Sequence, residues 1–323
     1  MNPLRQALEK YLSLRRALGF ELYRPGKALE RFVSFAEQEG ASTITTALAL
    51  RWARLPEGVD PSTWAGRLDL VRRFARFCYT LDLRTEVPPD GLLPHRLRRK
   101  TPYIWSRAEV KALLALMRRI RSPLGLRRFT YETFFGLISG AGLRISEALG
   151  LDKADIDWST GVVTIRNTKF GKTRRVPVHP STLVALQQYA RKRDRLVPTR
   201  DREAYFITEQ GSRLSQGAVR WVYQSLRKQL DFGRTNGHRP PRIHDLRHAF
   251  AVETLRRWYR AGRDVEAWLP RLATYMGHAH VNDTYWYLSA VPDLLSSAAR
   301  RMDQVEWRCT PRTHALHPIL QPT

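Results

Sequence analysis

Apolar side chains recur at helical spacing through the first part of the chain. One stripe is formed by Leu4, Leu8, Tyr11 and Leu18, and the segments ALERFVSFAEQ and RLDLVRRFARFCYTLDL repeat the spacing. Such a stripe lets a helix bury one face against its neighbours. Because glycines and prolines separate these segments, the pattern predicts an all-helical domain over residues 1–88.

The last of these segments carries a cluster of arginines in its middle, and a proline-rich stretch follows it. Arg72, Arg73 and Arg76 are predicted to lie on a face away from the apolar one, which suits phosphate contact and plain solvation equally. The stretch EVPPDGLLPHRLRRKTP is rich in proline and arginine and has no periodicity. It predicts a basic linker over residues 89–102.

Helical spacing resumes after the linker and then gives way to strand patterns. Ser106 is followed three residues later by Glu109, the arrangement of a capping box at a helix start. Further on, GVVTIRN and TRRVPV are β-branched runs joined by TKFGK, in which Gly171 can adopt a turn conformation. They predict a β-hairpin, and AYFIT at residues 204–208 is a candidate third strand.

From Gly217 onward the pattern is helical again to about Met302. We therefore predict a second domain over residues 103–300 that is mainly α with a small antiparallel β-sheet, an α+β fold. A C-terminal tail follows over residues 301–323. The segment SAVPDLLSSAARRM, just before this tail, carries an apolar stripe that has to be buried somewhere.

Charge adds a class of partner to this picture. The chain has 323 residues and a formal net charge of +25, with an isoelectric point near 10.9. Such an excess attracts polyanions, of which nucleic acid is the commonest, and the alternative is a merely soluble basic protein. No apolar run approaches the length of a membrane-spanning helix. The two cysteines, Cys78 and Cys309, make no disulfide framework, which is typical of a reducing cytoplasm.

Two clusters in the first half of the second domain suit phosphate binding. Arg144 follows glycines in GAGLRISEALGL and can either fork onto phosphate oxygens or pair with Glu147 one helical turn on. The predicted hairpin turn carries Lys169 and Lys172. A lysine at such a position is either solvated or directed into a bound backbone, and the residues alone leave both readings open.

Two further clusters, RIHDLRHAFAVETL and YMGHAHVNDTYWYL, combine histidines with an arginine and tyrosines. His244 and Arg247 are three residues apart and project from one face of a helix. His278 and Tyr287 are nine apart, so they converge only if the chain turns at the Asn-Asp pair between them. Tyr285 lies two residues before Tyr287, and helical geometry alone does not choose between these tyrosines.

Taken in order, these clusters resemble those of the tyrosine recombinase family, also called phage-type integrases. That family carries an arginine in G-L-R-x-S-E, a lysine in a β-hairpin turn, H-x-x-R, a histidine in L-G-H and a tyrosine nine residues later. The matching stretches are GLRISE, TKFGKTRRVPV, HDLRH, MGH and Tyr287, with Met276 in place of the usual leucine. The resemblance covers residues 103–295, and the first domain resembles the family's DNA-clamping core-binding domain.

The resemblance implies a nucleophile and a phosphate clamp. Tyr287 would attack the scissile phosphate in line, leaving a 3′-phosphotyrosine and a free 5′-hydroxyl. The bond energy is conserved in that intermediate, so neither ATP nor any other cofactor nor a metal ion is expected. Arg144 and Arg247 would bind the non-bridging oxygens, because an arginine fork is planar and permanently charged.

Three more residues take acid–base or hydrogen-bonding roles by the same resemblance. Lys169 would protonate the leaving 5′ oxygen, since the family's lysine stands seven residues before the valine of V-P, which favours it over Lys172. His244 would be the acid–base group for the tyrosine, and His278 would donate a hydrogen bond to the phosphate.

The implied function is site-specific recombination of double-stranded DNA. The long segment RRWYRAGRDVEAWLPRLATYMGH is similar to that of the branch borne by transposons and other mobile elements. The resemblance further implies a homo-oligomer on DNA, a synaptic tetramer, in the cytoplasm of a bacterium at its nucleoid. It leaves open the target sequence, the need for partner recombinases or accessory proteins, and whether the apolar stripe before the tail docks on its own domain or on a neighbour.

Three other functions stay open from the residues. His244 with His248 and His278 with His280 are candidate ligands of a metal-dependent nuclease, although no cluster of acidic ligands accompanies them. A DNA-binding architectural or regulatory protein without catalysis would keep the basic surface. A type IB topoisomerase would share the chemistry but relax supercoils without joining two sites.

Overall fold

The computed structural model describes residues 2–94, 101–166, 173–197, 203–230 and 240–290, with side chains described to residue 288. The hairpin turn that holds Lys169 and the segment beyond residue 290 lie outside these ranges, so what the sequence predicts for them stays a prediction. The chain separates into two units, Met1–Lys100 and Thr101–Thr323. Among the helices in the described ranges, none combines the length and the apolar character needed to cross a membrane.

The described part of the first unit is helical, as its periodicity predicts. Its helices are α1 (Pro3–Ala17), α2 (Tyr23–Gln38), α3 (Thr46–Arg54) and α4 (Pro61–Tyr79). The side chains of Asn2, Thr45 and Asp60 cap the first, third and fourth helices by accepting hydrogen bonds from free backbone N–H groups. The apolar stripes of the four helices meet in one core, whose largest members are Phe32, Trp52 and Phe74.

Arg72 does not lie on the solvated face predicted for it, because its side chain is only 8% exposed. Its guanidinium donates hydrogen bonds to the carbonyl oxygens of Pro88 and Pro89. These bonds fasten the proline-rich segment to α4, a tertiary contact that periodicity along one helix does not reveal. Arg73 and Arg76 are exposed, as predicted.

The second unit is mainly helical in its described part. Its α-helices are α5 (Arg107–Arg118), α6 (Arg127–Ala141), α7 (Ile145–Leu149), α8 (Pro180–Leu196), α9 (Gln216–Arg227), α10 (Ile243–Arg260), α11 (Val265–Met276) and α12 (Asn282–Ala290). The predicted capping box at the start of α5 is confirmed, with Ser106 and Glu109 bonding to each other's backbone N–H. The predicted fold class, mainly α with a small antiparallel sheet, is also confirmed.

The sheet contains the predicted hairpin and a third strand that the sequence did not indicate. Strands β1 (Ile156–Asp157), β2 (Val162–Ile165) and β3 (Arg174–Pro177) are antiparallel in the order β1-β2-β3. The prediction of a strand at residues 204–208 is wrong. This segment makes only isolated bridges. Four of its consecutive side chains are buried in the core: Ala204, Tyr205, Phe206 and Ile207.

Candidate active site

The turn that follows α11 is the point around which the candidate site is built. Gly277 ends the helix with a φ of +67°, in the left-handed region that favours glycine. A Cβ at this residue would also stand only 2.7 Å from Nη1 of Arg174. Backbone conformation and close packing therefore both require glycine in the MGH segment, where an arginine approaches the bare backbone.

Three arginines donate hydrogen bonds to the carbonyl oxygens at this turn, those of Tyr275, Met276 and Gly277. Nε of Arg174 donates to Tyr275 at 2.9 Å. Nη2 of Arg247 donates to Met276 at 2.5 Å, and Nη2 of Arg144 donates to Gly277 at 2.8 Å. The last carbonyls of a helix lack partners within the helix and form the negative end of its dipole. The end of α11 therefore holds three guanidinium groups close together.

One carboxylate, that of Glu147, pairs with the same three arginines and is 4% exposed. Its Oε1 accepts from Nη1 of Arg144 at 2.6 Å and from Nη1 of Arg174 at 2.9 Å, and its Oε2 lies 3.8 Å from Nη1 of Arg247. Burial alone would raise the pKa of Glu147, but the hydrogen bonds from Arg174 and Arg144 outweigh burial and lower the pKa to about 2. The carboxylate is ionised at neutral pH and offsets part of the positive charge of the site.

Replacing Glu147 by glutamine should destabilise the chain at neutral pH and flatten its acid unfolding. Because the pKa of Glu147 is lowered from 4.5 to about 2, the ionised form stabilises the fold above pH 4.5. This contribution is lost as the pH falls through about 2. A shift of this size corresponds to about 3 kcal/mol in the free energy of unfolding. Thermal unfolding of both proteins across that acid range measures the difference.

The matched control for this prediction is Glu132→Gln. Glu132 pairs with Arg118 at the protein surface, and exposed ion pairs contribute little to stability. The control should unfold like the wild type at every pH. If Glu147→Gln also keeps the wild-type acid profile, Glu147 does not hold the arginines in the way described.

Arg247 is almost fully enclosed, with 1% of the residue exposed. Besides its bond to Met276, it donates from Nη1 to the carbonyl oxygen of Gly142 at 2.6 Å. Burial and repulsion from Arg144 lower the pKa of Arg247 to about 10. The guanidinium therefore stays charged at neutral pH, in surroundings where water screens its charge only weakly.

Tyr287 and Tyr285 have different surroundings. Tyr287 is 2% exposed, and its hydroxyl oxygen lies 2.8 Å from Nδ1 of His248. Its phenol is also close enough to Arg247 to act on the pKa of that guanidinium. Tyr285 is 42% exposed. Of the two tyrosines, Tyr287 is the one that lies with the arginines and the histidines.

The chain turns between His278 and Tyr287, as their convergence requires. Helix α12 begins at Asn282, one of the two residues predicted for the break. The ring of His278 lies nearly parallel to that of Tyr287, at an interplanar angle of 22° with the centroids 6.4 Å apart. Nδ1 of His278 lies 2.7 Å from Oγ1 of the buried Thr284. This contact orients the imidazole beside the tyrosine.

Two histidines of α10, His244 and His248, meet edge to face with ring centroids 4.7 Å apart. His244 is exposed as a residue, yet desolvation by the surrounding protein and repulsion from Arg247 lower its pKa to about 4. Burial, the neighbouring His244 and Arg242 lower the pKa of His248 to about 3. Both imidazoles are therefore neutral at neutral pH.

The structure brings together most of the site residues that the sequence indicates. Around the turn after α11 lie Arg144, Arg247, His278 and Tyr287. His244 lies at the exposed margin of this group, in contact with His248 rather than with the hydroxyl of Tyr287. Lys169 lies outside the described residues.

Sequence reasoning missed Arg174 as a member of the site, weighed His248 only as a metal ligand, and weighed Glu147 only as a partner of Arg144. All three belong to motifs that also carry predicted site residues or the predicted hairpin. Arg174 belongs to the TRRVPV strand, His248 ends HDLRH, and Glu147 ends GLRISE. The signal in the sequence is that each motif holds several polar side chains, and polar side chains of one motif lie near the same turn.

A metal-binding arrangement was the alternative use of these histidines. Within the ranges that the structure describes, no three side chains of histidine, cysteine, aspartate or glutamate are grouped so that they could hold a metal ion. Nδ1 of His248 faces Tyr287, and Nδ1 of His278 faces Thr284.

Comparison with known proteins gives a family match over the second unit and relatives along nearly the whole chain. The model of the phage integrase family matches residues 105–292. The predicted integrase/recombinase y4rB of Sinorhizobium fredii is 44% identical over 309 residues, covering 94% of this chain and 98% of that protein. A second predicted integrase/recombinase of this organism, y4rE, is 37% identical and covers 92% and 95% of the two chains.

A solved structure is similar to the chain in fold. The integrase of the transposon Tn1549, in complex with circular intermediate DNA, matches with a TM-score of 0.65 at 20% identity. The match covers 93% of this chain and 99% of that one. At this level of identity the similarity establishes the fold alone.

Proposed function

The chain belongs to the phage integrase family, and on that premise we propose that Tyr287 cuts and rejoins double-stranded DNA through a 3′-phosphotyrosine. The activity is that of a tyrosine-type site-specific DNA recombinase. The assignment of each residue and the movement of a mobile element are parts of the proposal.

The observation that carries the proposal is the meeting of two permanent cations with one buried phenol. Arg144 and Arg247 donate to adjacent carbonyls at the end of α11. The hydroxyl of Tyr287 lies 2.8 Å from Nδ1 of His248, the residue after Arg247 in α10. A phosphate undergoing displacement gathers negative charge on its non-bridging oxygens in the transition state. Guanidinium groups already fixed in place stabilise that charge without reorganising during the reaction.

The bonds to carbonyl oxygens support this role for the arginines. A guanidinium has five N–H donors in a planar fork, and Arg247 uses two of its nitrogens on Gly142 and Met276. These contacts hold the plane of the group, and the donors that remain can reach a phosphate oxygen. Before DNA binds, the carboxylate of Glu147 reduces the repulsion among the arginines of the site by pairing with Arg144 and Arg174.

The cleavage step follows from these positions. The oxygen of Tyr287 attacks phosphorus in line, the bond between phosphorus and the 5′ oxygen breaks, and the leaving oxygen keeps the electron pair. Lys169 donates a proton to that oxygen, so a free 5′-hydroxyl results. His278 donates a hydrogen bond to the phosphate. The proton that the phenol of Tyr287 loses passes to a histidine of α10, which by the family motif is His244. Attack by a 5′-hydroxyl on the phosphotyrosine reverses the step and joins the strands.

The positive charge of the chain supports DNA as the substrate. A net charge of +25 produces binding through phosphate contacts, which weakens steeply as the salt concentration rises. We propose that the protein acts as a homo-oligomer on paired DNA sites, with four protomers in the synaptic assembly. Mass photometry of the protein with one and with two DNA sites measures this stoichiometry.

Covalent capture tests the proposal. The protein is incubated with sheared genomic DNA from the organism that encodes it, and DNA that resists denaturing detergent is recovered and sequenced. The proposal expects protein linked to 3′ ends at one recurring sequence, called here the captured duplex. Cleavage that never leaves protein on the DNA contradicts it, as does binding with no cleavage at all.

Removal of metal ions should leave cleavage of the captured duplex unchanged. The proposed roles are filled by arginine, lysine, histidine and tyrosine side chains, none of which needs a metal ion to act at a phosphate. Single-turnover cleavage in excess EDTA should match cleavage in magnesium within about twofold. Loss of cleavage in EDTA, restored by zinc or magnesium, would favour the metal-dependent nuclease instead.

A further inference from the structure

The hydroxyl of Tyr287 has a histidine partner that the family motif does not assign. Nδ1 of His248 lies 2.8 Å from this oxygen, a normal distance for a hydrogen bond. The two rings are in contact, with centroids 5.5 Å apart. When the imidazole proton is on Nε2, Nδ1 accepts the hydrogen bond from the phenol. The ring of His244, the histidine expected to serve the tyrosine, contacts the ring of His248.

The surroundings keep the His248 ring neutral and oriented. His244, Trp286 and Tyr287 contact its faces and edges. The ionisable groups that act on it are His244, Arg242, Arg247 and His278. Burial and each of these groups oppose a positive charge on the imidazole. In the neutral tautomer that carries its proton on Nε2, the lone pair of Nδ1 faces the phenol.

We propose that His248 is the base that takes the phenolic proton from Tyr287 as the tyrosine attacks DNA. The proposal rests on Tyr287 being the nucleophile, as in the proposed function. It moves the proton-accepting role from His244 to the histidine one helical turn later in α10.

The proton and electron pairs balance in this step. The O–H bond of Tyr287 breaks as its proton passes to Nδ1 of His248, which becomes an imidazolium. The phenolate oxygen forms the bond to phosphorus, and the 5′ oxygen leaves with its electron pair and takes a proton from the general acid, Lys169. In the reverse step the imidazolium returns its proton to the tyrosine oxygen as the strand is rejoined.

Bound DNA is what makes His248 an adequate base. A pKa of about 3 in the free chain is far below that of a phenol, about 10, so proton transfer is strongly unfavourable before DNA binds. Burial is the largest cause of this low pKa, and repulsion from His244, Arg242 and Arg247 adds to it. A phosphate held by Arg144 and Arg247 brings a negative charge that offsets this repulsion. The pKa of His248 therefore rises on binding, and the nucleophile is activated only when its target is in place.

The substitution His248→Asn distinguishes two roles of His248, that of a base and that of a side chain that only positions the tyrosine. The side-chain oxygen of asparagine can stand where Nδ1 stands and accept the hydrogen bond, but it does not take up a proton. Single-turnover cleavage of the captured duplex should slow by about 100-fold or more. Its rate should then rise steadily with pH, because the phenol must ionise into solvent. His280→Asn is the matched control, since His280 is exposed, and it should cleave like the wild type.

A more acidic phenol should rescue the variant. With fluorinated tyrosine at position 287, His248→Asn should recover at least about tenfold in rate, whereas the wild type should change little. A 5′-bridging phosphorothiolate in the DNA supplies a leaving group that needs no proton. It should rescue Lys169→Ala and leave His248→Asn slow, because Lys169 acts on the leaving 5′ oxygen and His248 acts on the attacking oxygen of the tyrosine.

Three results overturn the inference while leaving the proposed function intact. They are wild-type rate and pH dependence in His248→Asn, a rate defect that fluorinated tyrosine does not relieve, and a pH effect in His244→Asn that His248→Asn lacks. If the wild type itself forms no adduct at Tyr287, the proposed function fails instead. Should His248→Asn not fold, nitrogen-15 NMR of Tyr287→Phe decides: the pKa of His248 must rise when the captured duplex binds, and an unchanged pKa rejects the inference.

Discussion

Tyr287→Phe is expected to abolish covalent attachment to DNA while leaving DNA affinity nearly unchanged. The substitution removes one oxygen, and the nucleophile with it, from a ring that stays in its buried position. Affinity depends on the basic surface and its phosphate contacts, so it should change by no more than about threefold, with the same dependence on salt. Denaturing gels measure the adduct, and fluorescence anisotropy of the labelled captured duplex measures binding.

Tyr285→Phe is the matched control for this prediction. It removes the same atom two residues earlier in α12, from a ring that is 42% exposed, and it should cleave at close to the wild-type rate. If Tyr285→Phe loses the adduct and Tyr287→Phe keeps it, the two tyrosines have been assigned the wrong way round. Loss of the adduct in both variants would indicate that either substitution disturbs the whole of α12.

Arg247→Ala should produce the second large loss, by about 1,000-fold or more in single-turnover cleavage. Removing one fixed donor to a developing oxyanion typically costs about 100- to 1,000-fold, and this residue also holds the carbonyl oxygens of Gly142 and Met276. Those buried acceptors would lose their partner, so the midpoint of thermal unfolding should fall as well. Stopped single-turnover assays and thermal unfolding measure the two effects.

Arg247→Lys distinguishes the fork from the charge. Lysine keeps one positive charge but not the planar, bidentate geometry, so cleavage should remain at least about tenfold below the wild type. Arg118→Ala is the control for the loss of one surface charge, since Arg118 is exposed and pairs with Glu132. Full activity in Arg247→Lys would mean that charge alone, and not the geometry of the fork, is what the site uses.

Much of the fold could be predicted because its signals are local. An apolar stripe specifies which face a helix buries, and the helices of the first unit follow their stripes into one core. The capping box of α5 and the hairpin of β2 and β3 each depend on residues close together in sequence. The break before α12 was also predictable, because Asn282 suits the end of a turn and the start of a helix.

The departures have tertiary causes. Arg72 reads as a solvated residue of α4, yet it is buried because backbone carbonyls far along the chain accept its hydrogen bonds. The segment at residues 204–208 has the composition of a strand, but packing on all sides places it in the core. Neither carbonyl partners nor enclosure from several elements leaves a periodic signal in the sequence.

Within the candidate site, the family motif assigns the acid–base role for the tyrosine to His244, whereas the hydroxyl of Tyr287 contacts His248. His244 and His248 are four residues apart, so they share one face of α10 and either could meet the tyrosine by pattern alone. The choice depends on where α12 packs, which is set by the turn at Gly277 and the burial of Tyr287 in the core around α10 and α11. Arg174 joined the site for a similar reason, because β3 passes the end of α11.

The most direct test of the account is to identify the amino acid that carries the DNA. The covalent complex with the captured duplex is digested with protease and nuclease, and the nucleotide-linked peptide is sequenced by mass spectrometry. We predict a phosphodiester between the oxygen of Tyr287 and the 3′ end of the cut strand, in a peptide from α12. An adduct at Tyr285 or at any residue other than Tyr287, or DNA joined through a 5′ phosphate, would contradict it.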